Sequence, residues 1–185
     1  MDPHFQSRTS WRAKLEKNQA AKLVLATLPT FKRHGPMKLL IPRPIDVDAV
    51  IRRVRKGRLV TVAQIREVLA RDFNSQPASA RRAVACVDRL SDAKELKASS
   101  ACPLCTGIFV RIAAEAAEED RRAGKKRITP YWRVIRDDGT LHEKFPGGPP
   151  AQARQLKAEG HHLEPGRGKR PPKVKDFEKS LAKLS

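Results

Sequence analysis

The sequence predicts a mainly α-helical domain with a small β-hairpin, arranged as a winged helix-turn-helix. Apolar residues recur at helical spacing in four segments between residues 46 and 122, which predicts a run of amphipathic helices. A shorter segment after them turns at an Asp-Gly pair, which is typical of a hairpin. The 39 Lys and Arg outnumber the 20 Asp and Glu, so the formal net charge is +19 and a polyanionic partner is expected.

Charge and periodicity divide the chain into one domain between two basic arms. Residues 1–44 are polar and weakly periodic, residues 45–163 carry the pattern of the domain, and residues 164–185 place cations among glycines and prolines. No apolar run approaches the ~20 residues that cross a bilayer, and no secretory signal is seen. We therefore expect a cytoplasmic, nucleoid-associated protein that acts as a monomer and has no membrane partner.

Local signals mark where the predicted helices begin and end. Asp46 is a good N-cap for the first helix and Gly57 a good stop. Thr61 and Gln64 form a capping box at the start of the second. Apolar faces predict two more helices, over residues 78–90 and from Thr106 to about residue 122.

The predicted hairpin follows these helices. Residues 128–135 and 140–142 flank the turn Arg136-Asp-Asp-Gly139, as expected for two paired strands. A Pro- and Gly-rich loop over residues 146–150 then leads into a last helix from Ala151 to Glu159. Helices followed by a hairpin on a basic background are typical of proteins that place one helix in a DNA groove.

The three cysteines are predicted to be reduced thiols, because an odd number without an export signal argues against a disulfide framework. Cys102 and Cys105 have the spacing of half a zinc site, but no second pair follows them. Partly buried packing is the expected role. No metal and no cofactor is expected, since neither a complete ligand set nor a phosphate-binding glycine loop is present.

Three segments, in the right order, resemble the alkylguanine-DNA alkyltransferase family. Residues 56–61 and the helix after them resemble the Gly-x-Val-x-Thr opening of that family's DNA-binding domain. Residues 129–141 are similar to its Pro-Cys-His-Arg-Val-Val segment and the Asp-Gly turn, and residues 158–161 resemble the Glu-Gly end of its last helix. The resemblance spans residues 45–163, is most specific at residues 129–141, and implies an alkyltransferase-like DNA-binding domain.

The acceptor of the family's reaction is missing. An alkyltransferase uses a cysteine thiolate, activated by a His-water-Glu relay, to take the alkyl group from guanine O6. Aligned through Pro130 and Arg133, the cysteine position holds Tyr131 and the histidine position Trp132. A phenol with an ordinary pKa near ~10 is a poor nucleophile, and an indole is not a base. We therefore assign no catalytic residue; Cys105 is the least implausible substitute.

The resemblance instead implies the alkyltransferase-like branch, which lacks the cysteine. These proteins bind DNA with alkylated guanine through a pocket for the flipped base and present the lesion to other repair proteins. Tyr131, Trp132 and Glu159 are then candidates for the base pocket, since aromatic rings stack on bases. Two adjacent rings fit the core of the hairpin equally well, and Glu159 fits a structural role.

Two helices compete for the DNA-reading role. Chain spacing favours the helix that begins at Thr106, with Arg111 as the arginine that enters the base stack. Local sequence favours the segment that carries Arg81 and Arg82, for which phosphate contact is the simpler role. The remaining candidate DNA contacts are Thr61, Gln64, Thr106, Lys126, Arg127, Arg133 and Arg136.

The leading hypothesis is a non-enzymatic protein that binds double-stranded DNA, recognises damaged bases and signals to DNA repair. One alternative is a general duplex-binding or regulatory protein without a lesion pocket. A further alternative is a repair enzyme with different chemistry, such as a glycosylase. Its acid or base would come from Glu115, Glu118, Asp137 or Glu159, which no sequence motif pairs.

Overall fold

The computed structural model of the chain describes residues 9–26, 37–82, 85–86, 96–168 and 170–184. The helices of these residues are α1 (Trp11–Leu15), α2 (Pro44–Arg52), α3 (Val62–Ser75), α4 (Ala78–Arg82), α5 (Pro103–Arg122) and α6 (Gly148–Ala158). The strands are β1 (Lys22–Ala26), β2 (Met37–Ile41), β3 (Val60–Thr61), β4 (Ala85–Cys86), β5 (Ser100–Ala101), β6 (Val134–Ile135), β7 (Leu163–Glu164) and β8 (Lys173–Val174). Short 3-10 helices cover Tyr131–Arg133 and Phe177–Ser180.

The fold is mainly helical with small sheets, as predicted. α3 begins at the predicted capping box, in which the Thr61 hydroxyl accepts from the Gln64 amide at 3.2 Å and the Gln64 side chain accepts from the Thr61 amide at 3.1 Å. α2, α3 and α5 pack against one another and bury a core that includes Ile51, Ile65 and Ala113. None of the helices in the described parts of the chain is long and apolar enough to cross a membrane.

The helix predicted over residues 78–90 is wrong at residues 85–86. α4 ends at Arg82, and Ala85 and Cys86 form β4, which pairs in parallel with β1. Residues 83–84 and 87–90 lie outside the described residues. Alanine-rich apolar spacing favours a helix locally, but a neighbouring strand offers backbone hydrogen bonds that spacing does not reveal.

The N-terminal residues differ from the predicted arm, because those from residue 9 onward that the structure describes belong to the fold. β1 and β2 pair antiparallel at the centre of a four-stranded sheet with the order β4-β1-β2-β5. Leu15 of α1, Leu23 of β1 and Leu40 of β2 are buried in the main core. Because these three residues are buried, they anchor the N-terminal segment to the helices. The lysines scattered through the segment made it look solvent-exposed in the sequence.

The predicted hairpin forms its turn but not its ladder. The Gly139 amide donates to the Arg136 carbonyl at 2.9 Å, and Gly139 has a φ of +83°. β6, however, pairs in parallel with β3, and Thr140 bridges to Lys173. A β-carbon on Gly139 would lie 2.5 Å from the Phe177 ring, so the turn is shaped to receive the C-terminal segment.

The C-terminal segment also differs from the predicted tail. β7 and β8 form an antiparallel pair, and Leu181 bridges in parallel to Leu59 beside β3. Val174 and Phe177 are buried in a second apolar cluster with Leu59, Ile135, Leu141 and Leu156. Apolar residues between the cations therefore anchor residues 163–184 to the domain, apart from residue 169, which is not described.

Candidate nucleic-acid interface

Tyr131 occupies a buried position against the C-terminal half of α5. Its side chain is 3% exposed, and its hydroxyl donates to the Glu118 carboxylate at 2.6 Å. The ring meets Trp132 and Phe145 edge-on, at centroid distances of 5.6 and 5.5 Å. Burial, together with the Glu118 carboxylate, holds the pKa of Tyr131 well above its ordinary value. The phenol is therefore neutral at physiological pH and cannot attack an alkyl group.

Trp132, Arg133 and Glu159 form one hydrogen-bonded cluster. The Glu159 carboxylate accepts from Trp132 Nε1 at 2.8 Å, from Arg133 Nη2 at 2.8 Å and from Arg133 Nε at 2.9 Å. The side chains of Arg133 and Glu159 are only 13% and 7% exposed. Burial acts to raise the pKa of Glu159, but the hydrogen bonds from Arg133, Trp132 and Gly57 outweigh it and lower that pKa. Arg133 was predicted to contact phosphate, and its guanidinium is instead taken up by this ion pair.

The same ion pair holds the turn between α2 and β3 in place. Arg133 Nη1 donates to the Val54 carbonyl at 2.6 Å, and the Gly57 amide donates to Glu159 Oε2 at 3.0 Å. The turn is closed by a hydrogen bond from the Arg58 amide to the Arg55 carbonyl at 3.1 Å. Gly57 has a φ of +73°, a conformation that glycine adopts at little cost. Glu159, a candidate for the base pocket with a structural role as its alternative, is therefore a clamp on this turn in the structure.

A single stripe along α5 is open at one end and covered at the other. Leu104, Ile108, Arg111, Glu115 and Glu118 follow one another at the spacing of one helix face. Leu104 and Ile108 are 72% and 49% exposed, and the Arg111 side chain is 48% exposed. The Glu115 and Glu118 side chains are 20% and 7% exposed, and Tyr131 covers the latter.

The open half of the stripe combines apolar and cationic groups. Among the described residues, the exposed large hydrophobic side chains are Leu25, Leu104 and Ile108, so two of the three lie on this helix turn. A β-carbon on Gly107 would have no atom within 4 Å, which leaves the backbone open to close approach. Arg111 lies 3.7 Å from Glu115 and 5.9 Å from the centroid of the Trp11 ring.

Thr106 does not share this open face. It is fully buried, and its hydroxyl has no hydrogen-bond partner among the described residues. The predicted DNA contact at Thr106 is therefore corrected, since the side chain points away from solvent.

The alternative recognition helix is a single short turn. α4 has five residues, and Arg81 uses its guanidinium to hold the carbonyls of Asn74 and Gln76 at the end of α3. The side chain of Arg82 lies outside the described residues. Of the two candidates, α5 is the longer helix, and its exposed face carries Arg111.

Thr61 and Gln64 are used within the protein. Both side chains belong to the capping box of α3, and Gln64 Nε2 also approaches the Ala182 carbonyl at 3.4 Å. The Asp137 carboxylate accepts from the Ala63 amide at 2.8 Å, which closes the same helix end. The side chains and amides expected at phosphate therefore already have protein partners.

The other predicted phosphate contacts lie on the surface. Lys126 and Arg127 are exposed and form no ion pair or hydrogen bond with the residues that the structure describes. Arg136 is 3.6 Å from Glu143, and both side chains are about half exposed. Arg136 also lines an open groove of about 900 Å³ together with Arg167, Arg170 and Lys173.

The carboxylates considered for an enzyme are mostly committed elsewhere. Glu118 binds Tyr131 and Arg121, Asp137 caps α3, and Glu159 belongs to the ion pair. Glu115 pairs with Arg111 at 3.7 Å; burial raises the pKa of Glu115, although Arg111 and Arg122 act in the opposite sense. None of these four carboxylates lines the groove that contains Arg136.

The cysteines of α5 lie far from Tyr131. Cys102 and Cys105 are in the first turn of the helix, whereas Glu118, the partner of Tyr131, lies thirteen residues beyond Cys105. At ~1.5 Å per residue this is about 20 Å along the axis. Burial and the neighbouring Cys102 raise the pKa of Cys105 to about 11. Neither thiol is placed beside Tyr131, and the raised pKa of Cys105 makes it a poor nucleophile.

Among solved structures, the crystal structure of S. pombe Atl1 in complex with damaged DNA containing O6-carboxymethylguanine is similar to the chain, with a TM-score of 0.41 and 16% sequence identity. The alignment covers 76% of this chain and 94% of that chain. No protein-family model and no curated protein sequence matches the chain.

Proposed function

We propose that the protein is a non-enzymatic, alkyltransferase-like DNA-binding protein that binds damaged DNA through the open half of α5. The observation that carries the proposal is the stripe on α5, exposed from Leu104 to Arg111 and covered by Tyr131 at Glu118. The stripe runs from an exposed helix face, of the kind that enters a DNA groove, to Tyr131 in the segment that resembles the alkyltransferase active site. A net charge of +19 supplies the attraction for a polyanion.

The chemistry of the open half suits a DNA groove. Arg111 supplies a cation that can enter the base stack, and Leu104 and Ile108 are the apolar kind of side chain that wedges between base steps. Gly107 lets the helix backbone approach the DNA closely. The damaged base then lies at the boundary between the open and covered halves, near Glu115 and the aromatic pair of Tyr131 and Trp132.

With a neutral phenol at the acceptor position, the lesion is bound and left unchanged. The complex is reversible, so its biological output depends on other repair proteins that meet the exposed lesion. A monomer is sufficient for this role because α5 and Tyr131 belong to one chain.

The test compares binding of a fluorescent duplex with one O6-methylguanine and its undamaged twin, at two salt concentrations. Arg111→Ala is expected to weaken binding at least tenfold, and Leu104→Ala with Ile108→Ala to reduce the preference for the lesion. Arg71→Ala is the matched control, because Arg71 is 51% exposed and lies 3.7 Å from Asp72, much as Arg111 lies from Glu115. Leu25→Ala, at an exposed leucine of β1, is the control for the apolar pair.

The outcomes separate the functional alternatives. Preference for the lesion duplex with no mass increase of the protein supports the proposal. Equal binding of both duplexes, still lost in Arg111→Ala, leaves a general duplex-binding protein. Transfer of a methyl group, release of a base or the absence of binding to either duplex contradicts it.

A further inference from the structure

A second, strongly basic groove lies away from the α5 stripe, between the α2–β3 turn and the C-terminal segment. Its volume is about 660 Å³, and its charged lining consists of five cations and one carboxylate: Arg53, Arg55, Arg58, Lys179, Lys183 and Glu178. None of these residues was singled out by the sequence, because the two segments are more than a hundred residues apart in the chain.

Some of these cationic side chains have no partner among the residues that the structure describes. The side chains of Arg55 and Lys183 are exposed and form no ion pair or hydrogen bond with the other residues that the structure describes. Among the described residues the Arg58 guanidinium donates only to the Lys179 carbonyl, at 3.3 Å, and no carboxylate compensates its charge. Arg53 pairs with Asp72 at 2.8 Å, and Lys179 with Asp176 at 3.2 Å. Like charges gathered this way repel one another unless an anion joins them.

The groove has a rigid wall. The turn that carries Arg55 and Arg58 is fastened from beneath by the buried pair of Arg133 and Glu159, through the Val54 carbonyl and the Gly57 amide. The opposite wall is fastened by backbone hydrogen bonds on both sides of Leu59, from its amide to the Ser180 carbonyl at 2.9 Å and from the Ala182 amide to its carbonyl at 2.7 Å. Cations held by a fixed backbone lose less conformational entropy when they bind a ligand.

We propose that this groove is a binding site for a chain of phosphates. Arginine forks and lysines recognise phosphate oxygens, and cations on both walls fit several linked phosphates better than a single ion. Linked phosphates of this kind are found both in the backbone of a nucleic acid and in a free polyphosphate anion. The site goes beyond the proposed damage-binding role of α5 and does not depend on it.

The test uses the double variant Arg55→Ala/Lys183→Ala, with Lys144→Ala/Lys175→Ala as the control. The control removes two exposed cations that do not line the groove, so both variants have the same net charge. Binding of tripolyphosphate is measured by calorimetry, and binding of an undamaged duplex by fluorescence anisotropy over a range of salt. Both variants are expected to melt within a few degrees of the parent protein, because the replaced side chains are exposed.

The expected result is that the double variant loses at least tenfold in tripolyphosphate affinity and the control does not. For the undamaged duplex, the loss of two phosphate contacts in the double variant lowers the slope of log affinity against log salt by about 1.8, at ~0.9 per contact. This result identifies the nucleic-acid backbone as the natural ligand. An unchanged slope identifies a free polyphosphate. Equal tripolyphosphate binding by both variants, or none by the parent protein, overturns the proposal. The α5 proposal fails by a different result: both duplexes bind, and Arg111→Ala does not weaken their binding.

Discussion

Replacement of Glu159 by glutamine is expected to destabilise the protein more than the removal of an exposed charge does. The carboxylate accepts hydrogen bonds from Trp132, Arg133 and Gly57, and its loss leaves the Arg133 guanidinium, 13% exposed, without a counter-charge. Breaking a buried ion pair from one side costs roughly 3–5 kcal/mol. The amide oxygen of glutamine retains part of the hydrogen bonding, so we expect about 3 kcal/mol, at the lower end of that range.

The assay is thermal and urea unfolding followed by circular dichroism. For a chain of this length ~1 kcal/mol corresponds to about 2–4 °C, so Tm is expected to fall by roughly 6–12 °C. Glu143→Gln is the matched control, because Glu143 is 50% exposed and 3.6 Å from Arg136, and its loss is expected to cost no more than ~0.5 kcal/mol. Equal unfolding curves for the two variants would refute the clamp.

The same variant has a predictable pH dependence. The pKa of Glu159 in the folded protein lies below its ordinary value of 4.5, so its stabilisation is complete above pH 4.5 and is lost as the pH falls through the folded-state pKa. The difference in Tm between the parent protein and Glu159→Gln is therefore expected to be constant from neutral pH to about 5 and to shrink at lower pH. A difference that grows on acidification contradicts the assigned sign.

Three further predictions rest on single groups. Tyr131 is the one tyrosine of the sequence, and burial raises its pKa, so tyrosinate absorbance is expected to stay absent at pH 10 in the folded protein and to appear in urea, with stability declining above pH 10. Burial lowers the pKa of His142, which stacks on Phe145, to about 4; its imidazole NMR signals should not titrate at pH 6, and stability should fall between pH 6.5 and 4 because the unfolded chain takes the proton first. Cys105, with a pKa of about 11, is expected to react slowly with a thiol reagent at pH 8, and Cys105→Ser should leave DNA binding unchanged; rapid labelling would contradict its assigned burial.

The sequence predicts the parts of the fold that depend on near neighbours. The capping box of Thr61 and Gln64 lies within four residues, and the turn at Gly139 needs only the Asp-Gly pair. The apolar stripes of α2, α3 and α5 are likewise local signals, since each helix carries its own buried face. These elements appear in the structure close to their predicted bounds.

The pairing between distant segments is what the sequence does not reveal. β6 was expected to pair with residues 140–142, but it pairs with β3 in parallel, across a long chain separation. Leu59 also forms a parallel β-bridge with Leu181. Leu181 belongs to a segment whose lysines and prolines indicated a tail. Apolar residues at Val174 and Phe177 were the available signal, because a solvated arm has no need of them.

The candidate site divides in the same way. The helix of Arg111 was favoured by its chain spacing from the segment that resembles the family, and the Arg111 side chain is exposed in the structure. Arg133 could not be assigned to Glu159 without the fold. A buried arginine and an exposed one are indistinguishable in a sequence, since only the approach of a distant carboxylate decides between an ion pair and a phosphate contact. The basic groove was missed for the same reason.

Because Tyr131 stands at the acceptor position, the proposed function requires the other residues of the site to hold the lesion by noncovalent contacts alone. A protein that forms a covalent bond with its lesion retains it whatever the affinity, whereas a protein with a neutral phenol at that position keeps the lesion only while noncovalent contacts last. Residence on DNA then depends on the dissociation rate, which base and apolar contacts on α5 control more than long-range charge does. Distant cations act mainly on association and on its salt dependence. Variants of Leu104, Ile108 and Arg111 should therefore shorten the lifetime of the complex, and variants of Arg55 and Lys183, where the groove takes DNA, should slow its formation.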